Sequence, residues 1–597
     1  MENTEILMQN LLEQQQISAQ ITDIQWERII CHITVQVSYH TNFQAEEPLD
    51  FYLVTTYGKA NAKFVSEDLG GGIYRLSINV SNPGYVMCLP TGSYTIYICQ
   101  GNNILCKPEL SMELVPLLAD KSRTFLHHQK NKGYSVDFSV AEDVEDLVPV
   151  ITAQEMSRTG IPVLNPNPLA PKVPKPIKRE QRKIDRLKKT VLKDFYLFCH
   201  SVEKTKKKLN PKRKQNILFL SEQNEAIGTN MMAVANRMKE RGMESQWNLL
   251  FSGRSIVEHP GYGIKSWLQV FHKMGIADVI IVDDHAPMMD WLKLTKDTRL
   301  IQIWHAGAGF KSSGYSRWGH ISSPAPVGAH RQYTYGIAGS RRIAHFFSEV
   351  WGINTEQVLP TGMPRMDEYL NPEHRKQKET ELRQQYPMIN GKKVILFAPT
   401  YRGRNHKDAH YPYELIDFDR LYDFCGDEYV VLFKMHPWVA DPVPLKEEQK
   451  DRFLDVGTYP NINDLFYITD LLITDYSSNI FEYSLNLKPM LFFAFDEVQY
   501  AFSRGFHRDY ESSAPGKICH TFPKLMEALE NKDFEEEKVK EYVDVHFDHT
   551  DAGASDRVID WLIVGPLPEE FQQALDAKAA ENKRLLEMDF NSVGGSV

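Results

Sequence analysis

Between residues 25 and 116 apolar and polar positions alternate along the chain. The stretches "RIICHITVQVSY", "LDFYLVTTY", "IYRLSINV", "GSYTIYICQ" and "NNILCKPELSMEL" are rich in Val, Ile, Tyr and Thr, and "NPG", "PTG" and "GNN" separate some of them. Period-two alternation with such breaks predicts a small antiparallel β-sandwich. From Asn216 the pattern changes to short continuous apolar runs divided by helical stretches. "NILFLSE", "QWNLLFSG", "ADVIIVDD" and "RLIQIW" form one series, to about residue 372. "KKVILFAPTY", "YVVLFKMHP", "DLLITDYSS" and "KPMLFFAF" form a second, from 373 to 565. Runs apolar on both faces predict parallel strands covered by helices. The fold class is therefore α/β, with two doubly wound domains and a cleft between them.

Three segments fall outside these patterns. Residues 1–24 read as one helix, and residues 566–597 as a charged helix and tail. Residues 117–215 read as a connector, Pro-rich in "NPNPLAPKVPKPIK" and then strongly basic. From Lys172 to Lys214 basic residues outnumber acidic ones roughly four to one. Ile184, Leu187, Val191, Leu192, Phe195 and Phe198 recur there near helical spacing. Such a helix either lies on an anionic membrane surface or packs its stripe on its own domain.

Composition narrows the function classes. The chain has 597 residues, 42% hydrophobic, and a formal net charge of -10. That charge does not indicate a basic nucleic-acid binder. The 7 cysteines show no CxxC pair or zinc spacing, which reads as reduced thiols at a cytosolic address. No apolar run reaches the ~18 residues of a spanning helix, so membrane contact is expected to be peripheral. There is no Walker A or GxGxxG pattern.

The candidate chemistry sits where strands end, the usual place for it in α/β sheets. "IWHAGAGFK" carries His305 and the loop Ala306, Gly307, Ala308 and Gly309. "ILFAPTYRG" carries Pro399, Thr400 and Arg402; "VLFKMHP" carries Lys434, Met435 and His436. "TDYSSNIFEYS" carries Ser477, Ser478 and Glu482, and "VLPTGMPRMDEY" carries Arg365. Imidazoles, cations and hydroxyls at a helix start suit a phosphorylated ligand. A carboxylate one turn into that helix suits a ribose diol. Taken singly, each has a plainer reading: loop histidines, N-caps and surface charges. Lys311 and Arg317 are left as solvated loop charges.

In order, these motifs resemble the CDP-glycerol glycerophosphotransferase family, the teichoic acid primases and polymerases, over roughly residues 216–545. The resemblance implies a GT-B-like fold. It also implies transfer of glycerol phosphate or ribitol phosphate from a CDP-alditol donor to a hydroxyl of a membrane-linked acceptor, with release of CMP. His305 would be the general base, and His436 with Lys434 would neutralise the pyrophosphate as CMP leaves. The loop 305–309, Arg365, Pro399, Thr400, Arg402, Met435, Ser477, Ser478 and Glu482 would hold the donor. No cofactor or metal is implied, and the expected location is the inner face of the cell membrane. The alternatives are a GT-B glycosyltransferase using a nucleotide sugar and a non-catalytic membrane-associated scaffold. The family more often has WHG and a Thr-Pro loop where this chain has Trp304-His305-Ala306.

Overall fold

The computed structural model describes residues 17–39, 48–101, 103–127, 132–141, 147–157, 179–256, 259, 261–319, 324–403 and 407–590. It begins with the sandwich, whose two antiparallel-rich sheets have five and seven strands. Ile33, Val35 and Leu76 of one sheet share a core with Phe51, Leu53 and Ile96 of the other.

Two boundaries differ from the sequence reading. Ile17–Glu27 is a strand, not the end of a helix, and residues 1–16 lie outside the described set. Ile17, Ile21 and Ile24 all face the core, with a register shift between Ile21 and Asp23 that moves the inward face. Without that bulge, the spacing 17, 21, 24 imitates a helix. The sandwich also continues past residue 116. Arg123–His127, Lys132–Val140 and Pro149–Ser157 complete its larger sheet, in a stretch expected to be a connector. Tyr134, Val136 and Phe138 alternate inward there. The Pro-rich stretch expected to be extended lies outside the described residues up to residue 178.

The first α/β domain has six parallel strands: β1 (Gln215–Ser221), β2 (Trp247–Gly253), β3 (Val279–Val282), β4 (Arg299–Gln302), β5 (Tyr335–Ile337) and β6 (Val358–Leu359). They lie in the order β2-β1-β3-β4-β5-β6. The second has β7 (Lys393–Phe397), β8 (Tyr429–Phe433), β9 (Phe453–Asp455), β10 (Leu471–Thr474), β11 (Met490–Phe493) and β12 (Lys517–Cys519). Their order is β9-β8-β7-β10-β11-β12. Strand order therefore reverses between β7 and β10, which opens a crevice at their carboxyl ends. Residues 554–564 cross back to the first domain, where Arg299 donates to the carbonyls of Leu562 and Ile563 at 3.0 and 2.6 Å. Two doubly wound sheets tied in this way form a GT-B-like architecture.

The basic segment from Arg179 to Leu209 is one helix, α1. Its apolar positions divide between two faces. Leu192, Tyr196 and Cys199 are buried on the first domain. Ile184, Leu187, Val191 and Phe198 are 50–66% exposed. One side of the helix thus packs on its own domain, and the other is left exposed.

The sandwich is built onto the α/β pair. Trp318 stacks on Phe125 and Tyr134 at 5.1 and 5.0 Å. Glu349, buried in α4 (Arg341–Trp351), accepts from Arg28 of the sandwich at 2.9 Å and pairs with His507 of the second domain at 2.9 Å. At the other end, Asn582 reaches the Gly84 carbonyl at 2.5 Å, and Phe590 packs on Tyr97. One carboxylate thus links all three domains.

Candidate active site

His305 follows β4 on a tight backbone. Trp304 has φ 43, a left-handed conformation costly for a bulky side chain. It is held there because its N–H donates to Gln302 and its carbonyl accepts from Asn230 at 2.8 Å. Asn230 lies in the first turn of α2 (Thr229–Glu240) and also accepts from the Arg365 N–H. The His305 ring stacks on Trp304 at 4.5 Å, and its side chain is 55% exposed.

Nδ1 of His305 lies 3.1 Å from the Asp283 carbonyl. A carbonyl only accepts, so Nδ1 carries a hydrogen, and in the neutral ring the lone pair is then on Nε2. His436 has the opposite arrangement. Its Nδ1 accepts from the Trp438 N–H at 3.1 Å, so Nε2 carries the hydrogen. Burial, then Lys311 and Lys434, hold the His436 imidazole below the usual histidine range, which keeps it neutral. One histidine offers a base and the other a neutral donor.

The remaining residues of the loop lock the two domains together. A Cβ on Gly307 would lie 2.5 Å from the Phe481 ring, so only glycine fits that approach. Ala308 is buried in the core shared by both domains. Arg365 bridges the cleft. Its Nη1 donates to the His305 carbonyl at 2.7 Å, and its Nε and Nη2 both donate to Oε1 of Glu482. Oε2 of Glu482 accepts nothing among the described residues.

At the crevice in the second sheet, Asp475 is fully buried and accepts from the Thr400 N–H and hydroxyl at 2.8 and 2.9 Å. Arg402 donates to Asp475 at 3.0 Å and forks onto Asp496 at 2.6 and 2.8 Å. Burial works against its charge, but the two carboxylates more than offset that and hold it firmly protonated. The guanidinium of Arg402 is thus engaged by carboxylates beneath Thr400. Ser477 accepts from the Asn479 N–H at 3.3 Å and starts the turn into α6 (Ile480–Ser484). Lys434 is buried and donates to the Gly457 carbonyl at 2.8 Å, and the Met435 side chain is buried in the second domain's core.

His305, Arg365, Ser478 and Glu482 line one cavity of about 310 Å³ between the domains. His436 stands outside that lining, packed on Tyr401 at 4.7 Å. The far wall carries Tyr369 and Tyr467, stacked at 5.1 Å, with Asn461, Asn463 and Asp464 at the start of α5 (Ile462–Ile468). These residues were missed in the sequence. The run "NIND" with its capping asparagine was the available signal, but it follows no apolar strand directly. Outside the cleft, Glu497, Glu511 and His520 come within 4.8 Å of one another.

A family model described as CDP-Glycerol:Poly(glycerophosphate) glycerophosphotransferase matches residues 203–564. The chain belongs to this family. A teichoic acid ribitol-phosphate polymerase, TarL of Staphylococcus aureus, is 32% identical over 575 residues, covering 90% of this chain and 98% of that protein. A teichoic acid poly(ribitol-phosphate) polymerase of Bacillus spizizenii is 36% identical over 364 residues, 61% of this chain and 58% of that protein. Among solved structures, the wall teichoic acid polymerase TagF is 22% identical, covering 68% of this chain and 98% of that one with a TM-score of 0.46. As a CDP-glycerol glycerophosphotransferase family member, the chain is a transferase of the CDP-alditol class.

Proposed function

We propose that the protein is a ribitol-phosphate transferase that extends a teichoic acid chain from CDP-ribitol. The observation that carries this is the full-length similarity to a ribitol-phosphate polymerase, sandwich included. Within the cleft, His305 Nε2 takes the proton of an acceptor hydroxyl. The hydroxyl oxygen forms a bond to the β-phosphorus of the donor, the bond from that phosphorus to the bridging oxygen breaks, and CMP leaves. His436 Nε2–H donates to the phosphate as charge shifts onto it. Phosphoryl transfer asks for such positioning and charge stabilisation rather than covalent participation. The N–H groups at the turn of Ser477 and Ser478 and the Thr400 loop hold the donor phosphates, and Oε2 of Glu482 accepts from the ribose. Lys434, the Met435 backbone and Pro399 shape the donor's rim, and Arg402 fixes Thr400 from below. Side-by-side turnover of CDP-ribitol and CDP-glycerol tests the reading. CDP-ribitol is expected to have the higher kcat/KM, by about tenfold or more, and a preference for CDP-glycerol would reverse it.

The acceptor is read as lipid-linked, and α1 as the contact with an anionic membrane surface. Ile184, Leu187, Val191 and Phe198 project outward from a lysine-rich helix, as an interfacial helix requires. No described helix is long and apolar enough to cross a membrane. Replacing these four residues by serine is expected to weaken binding to phosphatidylglycerol vesicles by about 100-fold or more, with the melting temperature preserved. Unchanged sedimentation with vesicles would remove α1 from the membrane contact.

A further inference from the structure

Lys311 is an exposed loop residue, as its sequence suggests, whereas Arg317 is half-buried; both stand where the two domains meet. The chain at Lys311 pairs with Phe506 as an isolated bridge, and Ser312 N–H donates to the Gly505 carbonyl at 3.1 Å. This pairing carries a first-domain loop across to the second domain and sets Lys311 beside Arg504. Arg504 donates to the Gly403 carbonyl at 3.0 Å and lies over the Tyr401 ring at 5.8 Å, the ring that packs on His436. Arg317, at the end of the short turn Gly314–Arg317, has a buried Nε with no hydrogen-bond partner. Neither Lys311 nor Arg317 makes a side-chain hydrogen bond or ion pair among the described residues.

The charges in this corner do not balance. Although Lys311 is exposed, desolvation by its neighbours comes first in lowering it to about 8, and Arg504 and Arg402 add to that against the pull of Asp475. Asp475 is already bonded to Arg402 and Thr400. Burial, then Arg504, depresses Arg317 as well. Cations that repel one another around an unpaired N–H are relieved by an anion with several oxygens. None of the three lines the 310 Å³ cavity that Arg365, Ser478 and Glu482 share. Exposed Trp438 and the Tyr401 ring, 5.0 Å apart, border the same corner and offer apolar faces to a polyol.

We propose that Lys311, Arg504 and Arg317 form a second phosphate subsite beside His436, and that it holds the phosphodiester of the polyol-phosphate acceptor next to its reacting hydroxyl. This rests on the transferase reading, which supplies an acceptor with a phosphate one alditol away from the attacking oxygen. Binding that phosphate would fix the hydroxyl's position and select an already started chain over a bare alcohol.

Lys311→Met and Arg504→Met test it in the full chain. Each is expected to raise the KM for acceptor by about tenfold or more, to leave the KM for CDP-alditol within about twofold, and to be partly restored in Lys311→Arg. A raised donor KM with an unchanged acceptor KM would assign the cations to the donor diphosphate and overturn the proposal. So would no change in either. A second arm needs no turnover: calorimetric titration of a short glycerol-phosphate oligomer into wild type and both variants. Binding by wild type that weakens by about tenfold in the variants supports the subsite even if CDP-alditol turnover fails. Absence of wild-type binding at millimolar oligomer, or equal binding by all three, overturns it.

Discussion

His305→Gln lowers kcat for CDP-alditol turnover by about 10³-fold and leaves the donor KM within about threefold. Glutamine can still donate an N–H toward the Asp283 carbonyl, so the local hydrogen bond is reproduced. It offers no basic nitrogen where Nε2 stood. The His305 side chain is more than half exposed, and its one internal hydrogen bond goes to that carbonyl. Its loss therefore costs little stability, and a lowered rate reports chemistry rather than unfolding. Steady-state kinetics together with a thermal melt make the check. A loss below about tenfold in a folded variant would place the base elsewhere.

Arg402→Met has its largest effect on stability. The guanidinium joins Asp475 and Asp496, both buried or nearly so, with the Thr400 hydroxyl and carbonyl as further partners. Methionine fills much of the volume but leaves two carboxylates facing each other without a cation. Breaking a buried pair from one side costs about 3–5 kcal/mol. Denaturant unfolding should show a loss of that order, with turnover falling because Thr400 is no longer held. A change under about 1 kcal/mol with normal turnover would mean that the network is dispensable.

The strand-end candidates are legible in the sequence for a physical reason. Parallel strands buried on both faces are continuous apolar runs, and polar residues directly after such runs stand out. His305, Thr400, His436 and Ser477 are all candidates of that kind, and of these four only His305 lines the 310 Å³ cavity. Their partners are not legible in this way. Arg365 and Glu482 are separated by 117 residues, and nothing local marks them as a pair. Arg402, expected to be a donor contact, forks onto Asp496, a partner that nothing local in the sequence marks. Gly307 reads only as part of the donor-holding loop, whereas its lack of a Cβ is what admits the Phe481 ring. Lys311 is the clearest case, because its setting depends on a backbone pairing with Phe506 that no periodicity announces. In the sandwich the limit was different. A single bulge between Ile21 and Asp23 made a strand look helical, and three later strands were hidden by the length of the polar stretches around them.

In the proposed mechanism, with His305 as base and His436 as donor, the bond to the β-phosphorus is the one that breaks. A glycosyltransferase on the same fold would instead cleave at carbon and release the nucleoside diphosphate. The most direct measurement is the identity of the nucleotide freed when the purified protein meets CDP-ribitol and a lipid-linked polyol-phosphate acceptor. CMP released in step with an acceptor lengthened by ribitol phosphate is the expected result. Release of CDP with transfer of unphosphorylated ribitol, or no acceptor-dependent turnover of any CDP-alditol, would contradict it.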